Sequence, residues 1–279
     1  MEQSSSGDTS TFTFQSKKPS WRMDIAVSDY RHFEEGGNRV YYFAEDSLGA
    51  EKVMHAMKSS FDLYTGWFGP LDNYQGYSVI EVPQGYSSQF DVCATFLSAG
   101  NFQASADMNT VYHEIAHAWN VNNLDPQPCR FESEGYARFL EFLLLEKIDG
   151  KENAVSDEAE KYLNRIRSAF SEHQEYQQIP IRDYGVEGMT NYSYSLGMVV
   201  FAIFYELVGA DQFNHIIGSF YTAYHESGAT LDQFIHHCQE KAGPGLEGFF
   251  SDWIYTTNGI QLVMKGKSLP ELIRYYKEI

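Results

Sequence analysis

Two histidines and a glutamate in the middle of the chain have the residue types and the spacing of a zinc site. His113, Glu114 and His117 form an H-E-x-x-H motif, and sixteen residues separate His117 from Glu134. On a helix, residues four apart lie on one face, so both imidazoles can reach one ion while Glu114 stays beside it. Catalytic zinc takes three protein ligands and keeps a fourth position open, which makes Glu134 the natural third ligand. The pattern therefore predicts one zinc ion.

These side chains are suited to hydrolysis. Zinc lowers the pKa of a bound water and polarises a carbonyl oxygen, and Glu114 would take the proton of that water. The intermediate then needs a hydrogen-bond donor opposite the metal, which a tyrosine hydroxyl can supply. Two histidines packed on an ordinary helix are the alternative interpretation of the motif.

Glu141 is a candidate for supporting the metal ligands. It follows Glu134 by seven residues and so lies on the same face of a helix. There it would accept a hydrogen bond from the free N–H of one ligand imidazole. A glutamate that faces solvent is the alternative.

The apolar pattern places a small sheet before the motif and helices after it. Strand-like runs at Met23–Val27 and Val40–Phe43, separated by Gly36-Gly37, predict a hairpin. A helix that begins at Ser47 is expected to end between Gly66 and Pro70, and strands are expected at 77–82 and 92–97. The next helix begins at Ser105 or Asp107 and runs through Trp119. Further helices are predicted at 134–147, 155–173, 191–208, 211–224, 231–241, 246–256 and 269–278.

Length and composition indicate a packed globular protein. The 279 residues are 43% hydrophobic and include 20 tyrosines and 20 phenylalanines. A formal net charge of −18 disfavours nucleic acid and anionic membrane as partners. The charge would suit a basic substrate, although an acidic surface without such a role is the simpler explanation.

Cysteines and apolar runs bear on the compartment. Cys93, Cys129 and Cys238 have neither disulfide-framework nor metal-site spacing, which fits a reducing compartment. The polar segment Met1–Ser16 is no signal peptide, and the apolar run Leu196–Tyr205 is too short to span a bilayer. We therefore expect a cytoplasmic chain without a membrane partner.

Longer stretches around the motif resemble a known family. His113–Trp119 together with Ser133–Glu141 is similar to the gluzincin metallopeptidases, and most to the membrane alanyl aminopeptidase and leukotriene hydrolase family, peptidase family M1. That family carries H-E-x-x-H followed by N-E-G-F-A-x-x-x-E. Its Y-x-K-G motif is similar to Tyr194–Gly197, and the resemblance implies that Tyr194 is the hydroxyl donor, with Tyr192 as a nearby alternative. Similar order and spacing extend over roughly residues 22–260.

The resemblance implies a fold as well as a reaction. An α+β catalytic domain of the thermolysin type is expected, with a small β-sheet subdomain, then a mainly helical subdomain, and zinc in the cleft between them. Residues 1–20 would be a flexible lead-in, and residues 21–279 the metallopeptidase domain. Its sheet-rich part would be 21–104 and its helical part 105–279. A peptide is the expected substrate, and the oligomeric state stays open.

The sequence departs from the family where the amino end of the substrate would bind. The family's G-x-M-E-N strand provides a glutamate that binds the free α-amine, whereas residues 85–91 lack this motif. Gln89 or Asp91 would have to replace that glutamate, and a neutral amide binds an ammonium less well than a carboxylate. The family's large N-terminal β domain also has no counterpart here, as in a minimal version with an open cleft or a segment of a longer protein.

These observations leave several functions open. A zinc metallopeptidase with aminopeptidase-like action is the leading expectation. An endopeptidase or special-purpose processing peptidase uses the same residues, and so would an enzyme that hydrolyses a non-peptide substrate such as an epoxide. A catalytically idle binding module that retains the fold is the alternative from a different functional class.

Overall fold

A small β-sheet with one long helix forms the first part of the structure. The computed structural model of the chain describes residues 2–13, 24–72, 74–91, 93–243 and 245–278. β1 (Glu2–Ser6) and β2 (Thr9–Thr13) form a separate antiparallel hairpin. The main sheet consists of β3 (Arg31–Glu35), β4 (Asn38–Tyr42), β5 (Ser78–Val82), β6 (Gln89–Asp91) and β7 (Ala94–Ser98).

The main sheet is mixed, in the order β3-β4-β5-β7-β6. β3 and β4 pair antiparallel around Gly36-Gly37, and both glycines have positive φ, as a tight hairpin turn requires. β5 lies parallel to β4 and to β7, whereas the edge strand β6 is antiparallel to β7. The parallel step from β4 to β5 needs a crossover, which α1 (Ser47–Phe68) provides.

The second part of the structure is predominantly helical. α2 (Asn109–Ala116) continues as a 3₁₀ turn at His117–Trp119, and a π-helical turn at Phe131–Gly135 leads directly into α3 (Tyr136–Lys147). The remaining helices are α4 (Ala154–Glu172), α5 (Thr190–Val208), α6 (Ala210–Tyr224), α7 (Leu231–Ala242), α8 (Glu247–Phe250), α9 (Asn258–Met264) and α10 (Leu269–Lys277).

Phe201 on α5 lies at the centre of the helical part and is 1% exposed. Its ring stacks on Phe131 with centroids 4.8 Å apart, and it also contacts Tyr136 and Phe139. Phe213 on α6 meets it edge to face at 6.4 Å. Because burying one such ring contributes roughly 1.5–3 kcal/mol, this cluster holds α3, α5 and α6 together.

The α+β class expected from the sequence is confirmed, and most helices lie close to their expected bounds. The expected residues Val53, Met57 and Tyr64 form the buried face of α1. The division of one domain at residues 104 and 105 stays a prediction. Among the described helices, none is by itself long and apolar enough to cross a bilayer. α5 and α6 are long and apolar enough only when they are taken together, and the chain bends by 117° between them.

Three local features differ from the sequence-based expectations. Residues 24–27 form no strand, and the hairpin strand begins at Arg31 instead; Met23 lies outside the described residues. β6 and α9 were not expected from the apolar pattern. Residues 2–13 of the expected lead-in form the β1-β2 hairpin and residues 14–20 lie outside the described residues, so the flexibility of this segment stays a prediction. Three-residue strands and exposed polar hairpins depend on pairing, which leaves little apolar pattern to detect.

Glu81 on β5 is a fully buried acid next to the start of α1. The N–H of Phe43 donates to Glu81 Oε2 at 2.7 Å. Burial raises the pKa of Glu81 to about 8, and the Asp46 and Glu45 carboxylates add to the rise although the Phe43 hydrogen bond opposes it. Glu81 therefore carries a proton in the folded chain at neutral pH.

This proton makes stability depend on pH. Between pH 4.5 and about 8 the folded chain holds a proton on Glu81 that the unfolded chain has released, so the free energy of unfolding should fall as pH rises. Glu81→Gln removes this titration, and we expect the variant to be more stable than the parent by roughly 1–3 kcal/mol above pH 8. Thermal unfolding followed by circular dichroism across this range tests it; identical pH profiles for both chains would contradict the expectation.

Candidate active site

Two glycine backbones position the centre of the site. A Cβ built on Gly135 would lie 2.7 Å from the Cα of Gly197, and one built on Gly197 would lie 2.8 Å from the Cα of Gly135. No side chain fits at either position, so the π-helical turn and α5 cross at backbone distance. Glu134 directly precedes one glycine, and Tyr194 lies about one helical turn before the other. The crossing therefore brings Tyr194 next to Glu134.

The three expected metal ligands converge on one point. Glu134 Oε2 lies 3.3 Å from His113 Nε2 and 3.6 Å from His117 Nε2. The three ligand atoms all lie within 4.8 Å of one another. Tetrahedral zinc with bonds of about 2.0–2.2 Å holds its ligands roughly 3.3–3.6 Å apart, so this donor set fits a zinc ion.

Electrostatics at this point favour a cation. Burial lowers the pKa of His113, but contacts with Glu134 and Glu141 outweigh burial and raise that pKa to about 9. Burial also raises the pKa of Glu134, but hydrogen bonds from His113 and His117 outweigh it and hold that pKa well below its usual range. Carboxylate charge is thus concentrated around the imidazoles, as a metal cation requires.

Glu141 lies behind His113, where the sequence predicted it. Its carboxylate is fully buried, and Glu141 Oε2 lies 3.3 Å from His113 Nδ1. Arg138 Nη1 donates to both carboxylate oxygens at 2.7 and 3.0 Å, and Asn109 Nδ2 donates to Oε1 at 3.1 Å. A carboxylate that faces Nδ1 keeps the imidazole proton there and leaves Nε2 free to bind metal.

Asn120 has the corresponding position behind His117. Asn120 Nδ2 lies 2.7 Å from His117 Nδ1, while the buried Asn120 Oδ1 has no hydrogen-bond partner among the described residues. Rotating the amide by half a turn places Oδ1 on Nδ1, which satisfies both groups and puts the imidazole proton on Nδ1. Since metal binding through Nε2 requires that tautomer, the rotated amide is the orientation that suits a zinc ligand.

Glu114 lies beside the metal ligands and is 8% exposed. Burial raises the pKa of its carboxyl, although the neighbouring His113 and His117 oppose the rise. The backbone N–H of Phe90 on β6 donates to this carboxylate. The edge strand of the sheet therefore positions the side chain that the sequence predicted as the base.

Tyr194 reaches the same point from α5. Its ring stacks on His113 with centroids 6.2 Å apart, and it lines the same cleft as Glu134. Burial raises the pKa of Tyr194 to about 12, so the hydroxyl stays protonated and can donate. Tyr192, the alternative donor, lies elsewhere and packs against Phe170 with centroids 5.2 Å apart.

Arg130 is a cleft residue that the sequence analysis missed. It has a positive φ of 65°, which is uncommon for a residue with a side chain, and it immediately precedes the π-helical turn. Its guanidinium hydrogen-bonds Glu134 Oε1 and lies 5.7 Å from the centre of the Tyr194 ring. The four-residue spacing of Arg130 and Glu134 was the available sequence signal.

All these side chains open into one cleft of about 1210 Å³. The expected substrate-binding residues Gln89 and Asp91 line it from β6, with Gln89 exposed. Arg138 lines it as well, whereas His225 lies outside it and pairs with Asp72 at 2.7 Å. Apart from Tyr192, the cleft thus brings together the site residues proposed from the sequence, and the role of each stays a prediction.

Comparison with known proteins decides the family. The profile of the peptidase family M1 domain matches residues 97–253, more than half of the chain. The chain belongs to peptidase family M1. The resemblance noted in the sequence is confirmed, and so, at the level of the family, is the prediction of a hydrolase. No curated protein matches the chain.

Solved M1 structures share this fold. An M1 zinc metallopeptidase from Deinococcus radiodurans is 18% identical with a TM-score of 0.59, and the match covers 81% of this chain and 51% of that one. Yeast LTA4 hydrolase is 14% identical with a TM-score of 0.65, covering 82% of this chain and 39% of that one. The M1 chain described here thus spans about half the length of the Deinococcus protein.

Replacing Gly197 tests the glycine crossing. Gly197→Ala should force α5 away from the π-helical turn, lowering the free energy of unfolding by about 1–3 kcal/mol and weakening zinc binding. Gly66→Ala is the matched control, because Gly66 is exposed on α1 and a Cβ there meets nothing within 4 Å. The control should leave zinc binding intact and slightly raise stability. If both changes alter zinc affinity equally, the close contact between Gly135 and Gly197 is not what positions the zinc ligands.

Asn120 variants test the amide orientation. Asn120→Ala should lower zinc affinity about 10- to 100-fold, because His117 loses the acceptor that fixes its tautomer. Asn120→Asp keeps an acceptor oxygen and should retain zinc at least as well as the parent. Competition with a chelator gives the affinities, with the exposed neighbour Asn122→Ala as a control. If the aspartate variant binds zinc as weakly as the alanine variant, the amide donates to Nδ1 and the inferred orientation is wrong.

Proposed function

We propose that this chain is a zinc-dependent metallopeptidase that hydrolyses peptide bonds. The observation that carries the proposal is the convergence of His113, His117 and Glu134 on one point, beside Glu114 and Tyr194 in the same cleft. A related M1 zinc metallopeptidase from Deinococcus radiodurans has been solved with a Tyr-Ser-Ala substrate, which supports a peptide as the substrate class.

The proposed reaction divides between metal and side chains. A zinc ion held by His113, His117 and Glu134 would acidify a bound water and polarise the scissile carbonyl. Glu114 accepts the proton of the attacking water, which its raised pKa favours, and passes that proton to the leaving amine. Tyr194 donates its hydroxyl hydrogen to the oxyanion that develops on the carbonyl oxygen.

The edge of the sheet offers a place for the substrate backbone. β6 is the edge strand of the main sheet and lines the cleft, and the carboxylate of Glu114 is bound to its backbone at Phe90. An extended peptide that pairs with this edge would present its carbonyl close to Glu114. We propose that substrates bind in this manner, antiparallel or parallel to β6.

Aminopeptidase-like action is the leading form of the proposal. Deinococcus radiodurans M1 structures solved with Tyr-Ser-Ala and with L-tryptophan support recognition of a free amino end. Gln89, which is neutral and exposed on β6, favours an endopeptidase or processing peptidase instead, because an amide offers no charge to an ammonium. Relative hydrolysis of free and N-acetylated peptides separates the two.

Conservative variants test the catalytic roles. Glu114→Gln should lower kcat by about 10²- to 10⁴-fold, and Tyr194→Phe by about 10²- to 10³-fold, with zinc content unchanged in both. Tyr192→Phe serves as the matched control, since Tyr192 packs against Phe170 and Tyr176 rather than in the cleft. Zinc content by atomic absorption and hydrolysis of a fluorogenic peptide are the measurements. If zinc-loaded Glu114→Gln hydrolyses the peptide as fast as the parent chain does, the proposal is wrong.

A zinc-loaded parent chain without peptide hydrolysis would instead favour the idle binding module. In that case peptides should still bind in the cleft, and the Glu114→Gln change should leave their affinity nearly unchanged. Calorimetric titration of a peptide into both chains distinguishes the two outcomes.

A further inference from the structure

The charged groups that line the cleft are unevenly paired. Arg138 is bound to Glu141, and Arg130 is bound to Glu134. These two arginines are the cations among the described residues that line the cleft, and both are engaged by carboxylates of the metal site. A further glutamate in the cleft, Glu132, is left with neutral partners.

Glu132 lies in the π-helical turn, two residues before Glu134, and lines the same cleft. Its Oε1 accepts a hydrogen bond from Asn123 Nδ2, and its Oε2 lies 3.9 Å from the thiol of Cys129. Both groups are uncharged. In the described part of the chain, no lysine or arginine pairs with this half-buried carboxylate.

The carboxylate of Glu132 is held in place rather than left loose. Asn123 is anchored through its Oδ1, which accepts the N–H of Asp125 at 2.6 Å, and its backbone pairs with Ala229. Asp125 is fixed in turn, because the N–H of Leu231 donates to its Oδ2 at 2.9 Å. The loop after α2 therefore presents Glu132 in one position. Burial raises the pKa of its carboxyl, with a smaller contribution from the charge of Asp125, while the Asn123 hydrogen bond opposes the rise.

We propose that Glu132 binds an ammonium group of the substrate. A half-buried carboxylate with neutral hydrogen-bond partners gains most from a charged donor, and a charge-assisted hydrogen bond is about twice as strong as a neutral one. Gln89 on β6 is neutral and cannot supply this charge, whereas Asp91 on the same strand also lines the cleft with a carboxylate. The inference rests on the proposed peptidase function and adds a substrate class to it, namely peptides that carry an ammonium in the cleft.

An ammonium has two sources in a peptide, the free α-amine and a lysine side chain. Both present the same donor chemistry to Glu132. The α-amine would make the enzyme an aminopeptidase that recognises its substrate through a residue of the metal-binding turn rather than of the sheet. A lysine side chain would make it selective for basic peptides.

Binding to a zinc-loaded chain that carries Glu114→Gln tests the proposal without turnover. Three peptide amides serve as probes: trialanine with a free amine, N-acetylated trialanine, and N-acetyl-Ala-Lys-Ala. Calorimetry should show that at least one ammonium-bearing probe binds about tenfold or more tightly than N-acetylated trialanine. Preference for free trialanine identifies the α-amine as the ligand, and preference for the lysine probe identifies the side chain.

Adding Glu132→Gln should remove this preference while zinc content stays the same. Glu152→Gln is the matched control, because Glu152 is exposed outside the cleft and its replacement removes the same charge. The control should keep the preference. Equal binding of all three probes to the zinc-loaded Glu114→Gln chain overturns the proposal, whether or not the Glu132 variant folds. A preference that survives the added Glu132→Gln change also overturns it.

Hydrolysis by the parent chain is measured separately with the same free and acetylated peptides. Hydrolysis without any ammonium preference overturns this inference and leaves the peptidase proposal standing. An ammonium preference without hydrolysis overturns the peptidase proposal and leaves the Glu132 subsite standing.

Discussion

The contact between the backbones of Gly135 and Gly197 is the constraint on which the site depends. It lets the π-helical turn and α5 approach to a distance at which even a methyl group would collide. The candidate metal ligand Glu134 and the hydroxyl of Tyr194 come from different helices, yet each is within one turn of this contact. The stacked rings of Phe131 and Phe201 lie on the same crossing and hold it closed.

Around this crossing, each imidazole has its own support. His113 faces a fully buried carboxylate, Glu141, whose charge is balanced by Arg138 and by the amide of Asn109. His117 faces the neutral amide of Asn120. A carboxylate partner raises the basicity of an imidazole more than an amide does, so the two histidines differ in donor strength although they occupy equivalent positions in the motif.

The sheet and the helices contribute different parts of the proposed chemistry. β6 fixes Glu114 through the N–H of Phe90 and is an edge strand of the main sheet. The loop after α2 fixes Glu132 through Asn123 and so brings a carboxylate into the cleft from the opposite subdomain. In a chain whose β6 carries Gln89 and Asp91 in place of the family's amine-binding glutamate, the proposed recognition of a charged substrate involves the π-helical turn at Phe131–Gly135.

Local spacing was enough to locate much of this site. His113 and His117 share a face because helical geometry alone places residues four apart together. The same rule puts Glu141 on the same helix face as Glu134. Apolar periodicity likewise predicted the long helices, whose hydrogen bonds and buried faces are both local in sequence. The α+β class and the family followed from these elements and from the motifs that they carry.

What only the tertiary structure decided depends on partners distant in sequence. β6 has three residues and exists because it pairs with β7, and the hairpin strand lies at Arg31–Glu35 because its register follows β4. The positive φ of Arg130, the acceptor needed behind His117 and the neutral surroundings of Glu132 all arise from packed loops. No periodicity encodes such contacts, since each is fixed by the position of a residue far along the chain.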